Sequence, residues 1–301
     1  MKKSTIALTL LITLIAINLC FHPVGRAQTD TTATVAAWNI KGLDADPISE
    51  TRARQIAKGI ALLDPEVIAL AEVHPDSIVN VIVQELNSRG GKYEAPIILQ
   101  QKPSVVQNLA IIYKTNISVS EASLIPNSDL TEEARSRRAL AAKVKIGNFD
   151  FVLVAVHLKS SRDDNSRALR TKQAKVLADY INSQTAGGGS AERDVLVIGD
   201  YNMIPEQDEV NFDALSPTGF LRFLSYQLTG PSHIRRCQPL EGNLLDGYAV
   251  SARQTVEYVE GSLSIFPLDR ALRLSCDDYV SSVSDHLPLV ARFTVTGTDD
   301  D

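Results

Sequence analysis

Asn39, Glu72, His157, Asp200, Asn202, Asp246, Asp285 and His286 share one peculiarity: each stands at or beside the end of an apolar, strand-like run. The stretch "VLVIGDYNMIP", Val195 to Pro205, is the sharpest case, a core-type strand that finishes on Gly199, Asp200, Tyr201 and Asn202. A tight turn accounts for one such ending, because Asp and Asn hydrogen-bond their own backbone and glycine tolerates unusual dihedrals. Several strands ending this way would be costly to bury without partners, so the ends are expected to converge on one rim around a shared ligand. The residue types narrow that ligand. Glu72, Asp200 and Asp285 are hard oxygen donors, and Asn39 and Asn202 add amides, a set suited to Mg2+, Mn2+ or Ca2+ rather than zinc. His157 and His286 titrate near neutral pH and suit a general acid and base. Carboxylates, a divalent ion and two histidines together fit hydrolysis of a phosphate ester.

Regular elements must deliver these groups. "TATVAAWNI" reads as a strand ending at Trp38, Asn39 and Ile40, and "EVIALAEV" as a second buried strand. Between them, Ile56, Ile60 and Leu63 have helical spacing, and Asp64-Pro65 stops the helix. A second helix is expected over Asp76 to Ser88. The strands "NLAIIYK", "RALAAKVKI" and "FDFVLVAVHL" follow, the last two joined by a Gly147-Asn148 hairpin turn. A helix from Ser166 to Ser183 precedes the strand that opened this reading. Beyond Pro205 a helix is expected near Phe220 to Tyr226, with strands at "LLDGYAVS" and "HLPLVARFTV". Mixed strands with helices outside imply an α/β sandwich.

The chain of 301 residues is 44% hydrophobic and 22% charged, an ordinary globular balance, and no linker divides it. Lys2 and Lys3 precede an apolar stretch from Thr5 to Phe21, followed by small residues, the pattern of a secretory signal peptide over 1–27. A retained membrane anchor and a lipid anchor through Cys20 are the lesser readings, the apolar run being short for a span. A polar lead (28–33), one catalytic domain (34–297) and an acidic tail (298–301) would make up the rest. Cleavage would remove Lys2, Lys3 and Arg26 from a chain already at net charge −6, leaving a more acidic protein unsuited to strong non-specific polyanion binding. It would also leave Cys237 and Cys276 alone in an oxidising compartment, as one disulfide or as two separate buried thiols.

Five motifs in order, "WNI" (38–40), "PEVIALAEV" (65–73), "HLKSS" (157–161), "GDYN" (199–202) and "SDHLPL" (284–289), resemble those of the endonuclease/exonuclease/phosphatase superfamily, the deoxyribonuclease I-like proteins. The resemblance runs from Thr34 to Thr296 and implies a four-layered α/β sandwich of two mixed sheets flanked by helices. It further implies that Asn39, Glu72 and Asp285 hold the metal, and that Asp200 and Asn202 address the attacking water and the phosphate. His157 and His286 would be the acid and base pair, with Asp246 orienting His286, and Tyr113 and Arg138 would contact phosphate. Two departures stand out: Ala71 occupies a position often held by Gln, and Gln107 stands where related deoxyribonucleases carry a Glu beside the first histidine.

Other polar residues have plainer readings. His74 and His233 read as loop or surface residues, and Trp38 as core. Of Arg135, Arg137 and Arg138, a solvated cluster by pattern, Arg138 alone is expected at the site, and Lys159 would cap a strand exit or touch phosphate. The expected function is an exported, divalent-metal-dependent phosphodiesterase, a nuclease, monomeric and without stable membrane insertion, acting on nucleic acid. The alternatives are a phosphatase or phosphodiesterase on lipid or inositol head groups, as in sphingomyelinases, and an inactive binding protein on the same scaffold.

Overall fold

The structure, a computed structural model, describes residues 31–297 except 44, 95, 100, 103, 131–135 and 187–192. The expected signal peptide and acidic tail, and Arg135, lie outside the described residues. The order of elements is β1 (Thr32–Asn39), α1 (Glu50–Leu63), β2 (Val67–Val73), α2 (Ile78–Ser88), β3 (Ile97–Ile98), β4 (Asn108–Tyr113), β5 (Ser118–Leu124), β6 (Leu140–Ile146) and β7 (Phe149–His157). There follow α3 (Asp164–Thr185), β8 (Val195–Asp200), α4 (Glu209–Leu215), β9 (Leu221–Phe223), β10 (His233–Cys237), β11 (Leu240–Asn243), β12 (Asp246–Ser251), β13 (Ser264–Ile265), α5 (Leu268–Ala271), α6 (Cys276–Ser282) and β14 (Leu289–Thr294).

Two six-stranded sheets result, ordered β13-β14-β1-β2-β4-β3 and β5-β6-β7-β8-β12-β9, with β10 and β11 as a separate ribbon. Each sheet has one parallel pair at its centre, β1 with β2 and β7 with β8, and antiparallel neighbours elsewhere. The sheets pack face to face through Val35, Ala37, Ala69, Leu153, Ile198 and Phe293. On the outer face of the first, Trp38 and Leu70 meet Ile56 and Ile60 of α1 and Ile82 of α2. On the outer face of the second, Val154 and Val197 meet Leu177 of α3 and Phe212 of α4. With both faces buried, the strands read as unbroken apolar runs rather than alternating ones. The four-layered sandwich is therefore as expected.

The Phe220–Tyr226 segment is not. Leu221–Phe223 pairs along the free edge of β12, and a single 3-10 turn follows over Leu224–Gln227. An open sheet edge with unpaired backbone groups outweighed the weak helical spacing of its apolar residues. The Gly147-Asn148 hairpin forms, with Ile146 opposite Phe149.

Two buried arginines fix the loops that follow the central strands. Arg52 of α1 donates to the carbonyls of Ile40 (2.8 Å), Lys41 and Val283 (3.0 Å), and its Nη1 lies 3.5 Å from Asp46. Arg170 of α3 donates to the carbonyls of Lys159 (2.8 Å) and Ser161 (2.7 Å) and stands 3.7 Å from the buried Asp208. Asp208 also takes Arg162 at 2.7 Å and the backbone N–H of Ile204 at 2.8 Å, which ties down the loop after β8. Beside Arg170, Gln173 accepts from the Lys159 N–H at 2.8 Å.

Candidate active site

The four strands of the two parallel pairs carry Asn39, Glu72, His157 and Asp200 at or one residue before their ends, and these ends meet across the seam between the sheets. Carboxyl ends of parallel strands are where α/β sheets ordinarily present ligand sites. Local backbone irregularities aim the groups. Glu72 sits in a bulge, where the register of β2 against β4 slips between Leu70 and Val73, and has φ +58°. Its carbonyl lies so close to Gly42 that any side chain at 42 would collide with it. At the end of β8, Gly199 has φ +130° and packs against the Val156 carbonyl, which lets Asp200 turn inward beside His157.

The carboxylates of Glu72 and Asp200 and Nε2 of His157 lie within 4.8 Å of one another. His157 Nε2 is 3.5 Å from Asp200 Oδ2 and 3.7 Å from Glu72 Oε1. Asn39 bridges the two acids, its Nδ2 donating to Glu72 Oε1 at 3.1 Å and to Asp200 Oδ2 at 3.0 Å. Burial raises the proton affinity of Glu72, against the pull of the Asn39 hydrogen bond. Burial also raises that of Asp200, with Asp246 and Glu72 adding to it against the opposing charge of His286. His157 is pushed well below the ordinary histidine value, first by burial and then by Arg137 and His286, so its ring is neutral. The buried Asp200 carboxylate, the partly buried Glu72 carboxylate and a neutral imidazole, converging on one point, form a donor set that fits a divalent cation.

A second pair crosses the same seam. Asp246 lies opposite Asp200 in the β8–β12 register, and its Oδ2 is 2.8 Å from His286 Nδ1. Burial alone would lower the pKa of His286, but the charge and hydrogen bond of Asp246, with Asp200 and Asp285 behind, hold it well above the usual value. The imidazolium's Nε2 is 4.0 Å from Asp200 Oδ2. The His286 backbone is pinned: its carbonyl accepts from Trp38 Nε1 at 2.8 Å and from the Tyr279 hydroxyl at 2.7 Å. Trp38 is thus core, as expected, with its one polar atom spent on the site loop. Asn202 has φ +52°, donates its backbone N–H to Asp200 Oδ1 at 2.9 Å, and anchors its amide on the Leu158 carbonyl at 3.2 Å.

Several expected residues stand elsewhere. Tyr113 pairs with Val67 at the start of β2, the end of the strand away from Glu72, so it lies at the opposite edge of the sheet from the site. Because β4 runs antiparallel to β2, its entry, Asn108, reaches the rim instead. Arg138 turns away to Asp129 (3.3 Å), while Arg137 lines the cavity with Glu72 and His157. Gln107 accepts from Arg137 at 2.7 Å, so it serves the arginine and not His157. Asp285 is paired with Lys41 at 3.3 Å rather than gathered into the Glu72 cluster.

Two further residues reach the site, one read as a loop residue and one not singled out. His233, expected in a loop, lies in β10 and bridges by backbone to His286, with ring centroids 4.8 Å apart. The Ser232 hydroxyl accepts from Asp246 N at 3.1 Å, and the Ser232 carbonyl accepts from Leu287 N at 2.7 Å. The ribbon carrying them is tied to α6 by a Cys237–Cys276 disulfide, so the two cysteines are one bridge and not separate thiols. A cavity of about 450 Å3 opens beside Glu72 and His157, edged by Leu43, Val105, Arg137 and Lys159.

Two mixed sheets back to back, helices on both outer faces and a polar rim at the parallel strand ends define the deoxyribonuclease I-like fold of the endonuclease/exonuclease/phosphatase superfamily, as the five motifs implied. No family model matches the chain. It is 26% identical over 175 residues to tyrosyl-DNA phosphodiesterase 2 of Xenopus laevis, covering 57% of this chain and 44% of that protein. The chain spans less than half the length of the curated relatives it matches. Among solved structures, TDP2 of D. rerio complexed with a single strand DNA product matches at TM-score 0.65 and 19% identity, over 88% of this chain and 100% of that one. Mannosyl-6-phosphatase of Bacteroides thetaiotaomicron matches at TM-score 0.62 and 16% identity, over 86% of this chain and 98% of that one.

Proposed function

We propose that the chain is a divalent-metal-dependent phosphodiesterase that hydrolyses single-stranded nucleic acid. The observation that carries this reading is the convergence, on one seam, of the Glu72–His157–Asp200 donor set and the His286–Asp246 pair. A Mg2+ or Mn2+ ion held chiefly by the carboxylate oxygens of Glu72 and Asp200, beside the neutral His157, would neutralise charge on a phosphoryl oxygen. The chain's own groups divide the remaining work. His286, kept protonated by Asp246, presents Nε2–H to the phosphate as charge develops. Asp200, facing both the donor set and His286, accepts a hydrogen bond from the attacking water and aligns it. Asn202 fixes the Asp200 carboxylate through its backbone N–H. Arg137 and Lys159 supply positive charge at the edge of the adjoining cavity, which is of a size for one nucleotide rather than for a duplex.

An acidic chain favours an unpaired strand held at few phosphates over a duplex held along its length. The relatives' names and the single strand DNA product in the D. rerio structure support the same direction. The phosphatase neighbour keeps a sugar phosphomonoester as the second reading. Export is part of the proposal, supported by the basic and apolar N-terminal pattern and by the disulfide, which suits an oxidising compartment. Among the described residues no helix is long and apolar enough to cross a membrane. The test is turnover of single-stranded and duplex DNA, RNA, sphingomyelin and a sugar phosphomonoester, with Mg2+ and with chelator. Cleavage of single-stranded DNA that stops in chelator is expected. Full turnover in chelator would overturn the metal role, and a marked preference for the phosphomonoester would replace the nuclease reading with the second one.

A further inference from the structure

The β10–β11 ribbon belongs to neither sheet, yet it touches both members of the His286–Asp246 pair. Ser232, just before β10 and fully buried, accepts at its hydroxyl from the Leu245 and Asp246 N–H groups, both at 3.1 Å. On the other partner, the ribbon holds the residues either side of His286. The Ile234 N–H donates to the Asp285 carbonyl at 2.7 Å, and the Ser232 carbonyl accepts from the Leu287 N–H at 2.7 Å. Between these two bonds the His233 ring lies on the His286 ring. His233 Nδ1 is buried and has no hydrogen-bond partner among the described residues, so the ring packs there without bonding through that atom.

Little else holds the ribbon. Its strands have five and four residues, and Ile234 is the one buried side chain in them. A two-stranded ribbon of that kind is marginal in water by itself. The Cys237–Cys276 bridge ties the last residue of β10 to the first residue of α6, whose Tyr279 holds the His286 carbonyl from the other side at 2.7 Å. The loop carrying His286 is therefore gripped between two short elements joined by one covalent bond. Both cysteines are partly exposed, so a small thiol can reach them.

Resting on the role given to His286 above, we propose that the ribbon is a clamp positioning His286, with His233 as its contact, and that the Cys237–Cys276 bridge makes turnover redox-sensitive. A dithiol reductant opens the clamp: the S–S bond breaks, two electrons and two protons pass to the cysteines, and the reductant closes into its own disulfide. Glu72, His157 and Asp200, carried by the central strands, stay in place. Turnover is then high in an oxidising compartment and low in a reducing one.

The test compares the folded full chain carrying Cys20→Ser, in which Cys237 and Cys276 are the remaining cysteines, before and after treatment with dithiothreitol. On the best substrate of the panel above, reduction is expected to lower kcat about 10- to 100-fold with KM little changed, and reoxidation to restore it. Replacing both Cys237 and Cys276 with Ser should give the same loss and no further response to dithiothreitol. His233→Ala should lower kcat in the oxidised protein, and His233→Phe, which keeps a ring on His286, should retain most of it. Hydrogen exchange needs no turnover: reduction should speed exchange at the Ile234 and Leu287 N–H groups and leave β7 and β8 protected. Full kcat after reduction, or unchanged exchange at those two amides, would overturn the clamp while leaving the phosphodiesterase reading intact. Loss of far-ultraviolet circular dichroism on reduction would overturn it too, since the bridge would then hold the whole fold. A chain inactive on every phosphoester, yet faster in exchange at those two amides when reduced, would keep the clamp and sink the phosphodiesterase reading. If the Ser variant fails to fold, reduction of the natural bridge decides the question by itself.

Discussion

Arg52 and Arg170 hold equivalent loops in opposite halves of the sandwich, yet their surroundings differ. In the first half, which supplies Asn39, Glu72, Asp285 and His286, Arg52 spends its donors on three carbonyls, and its acid partner Asp46 is 69% exposed. In the second half, which supplies His157, Asp200, Asn202 and Asp246, Arg170 and Asp208 have no exposed side-chain surface, and Arg162 and Arg167 complete the network. Screening by water makes the charge of Asp46 nearly dispensable, whereas the buried charges of Arg170 and Asp208 depend on each other. The first half is held by hydrogen bonds to carbonyls beside a solvated acid, and the second by the same kind of hydrogen bonds together with a buried acid shared among three arginines.

The largest effects are expected where the halves meet. His286→Ala should lower kcat by about 10²- to 10⁴-fold, and Asp246→Asn by a comparable factor. Because one hydrogen bond across the seam joins them, their losses should be non-additive in a double-mutant cycle on kcat/KM. Simple additivity would mean that the halves act separately. Next, Asp208→Asn should cost about 3 to 5 kcal/mol in urea unfolding, since it leaves Arg170 buried without its counter-charge. Replacing both Cys237 and Cys276 with Ser should cost about 2 to 4 kcal/mol and raise the mobility of β10 beside His286. Arg52→Met should cost less than the Asp208 change, about 1 to 3 kcal/mol for carbonyls left unpaired. An Arg52 variant less stable than the Asp208 variant would reverse the contrast between the halves.

The smallest effect is a pH dependence. The folded pKa of His286 is raised, so its contribution to stability is complete below the unfolded value of about 6.5 and is lost as pH rises through the folded value. Asp246→Asn should therefore destabilise the metal-stripped protein more at pH 6 than at high pH, as followed by thermal unfolding. Equal destabilisation at both would mean that His286 is neutral in the folded chain.

The convergence of Asn39, Glu72, His157, Asp200, Asp246 and His286 was legible because each interrupts an apolar run, and the sheets bury that run on both faces. Where such a break was missing, the sequence offered less. Arg137 and Arg138 are adjacent on an extended chain and point to opposite sides, so a shift of one position decides which meets the cavity. Tyr113 was assigned by its place at a strand end, but strand direction, which sets which end meets the rim, follows from pairing with β2. His233 and Ser232 reach the site through the β10–β11 ribbon, whose four- and five-residue strands carry almost no hydrophobic pattern. Lys41 looks like an ordinary surface lysine until the packing of α6 brings Val280 and Asp285 to it.

The division of the site between two sheets bears on how the protein would fail. Neither half alone contains both the donor set and the His286–Asp246 pair, so a heated or acidified chain that kept its strands and helices while the sheets loosened would lose turnover before it lost far-ultraviolet circular dichroism. Activity in this molecule is then a gauge of tertiary packing: a partly melted population would register as a fall in the number of active molecules, with KM unchanged among those that remain.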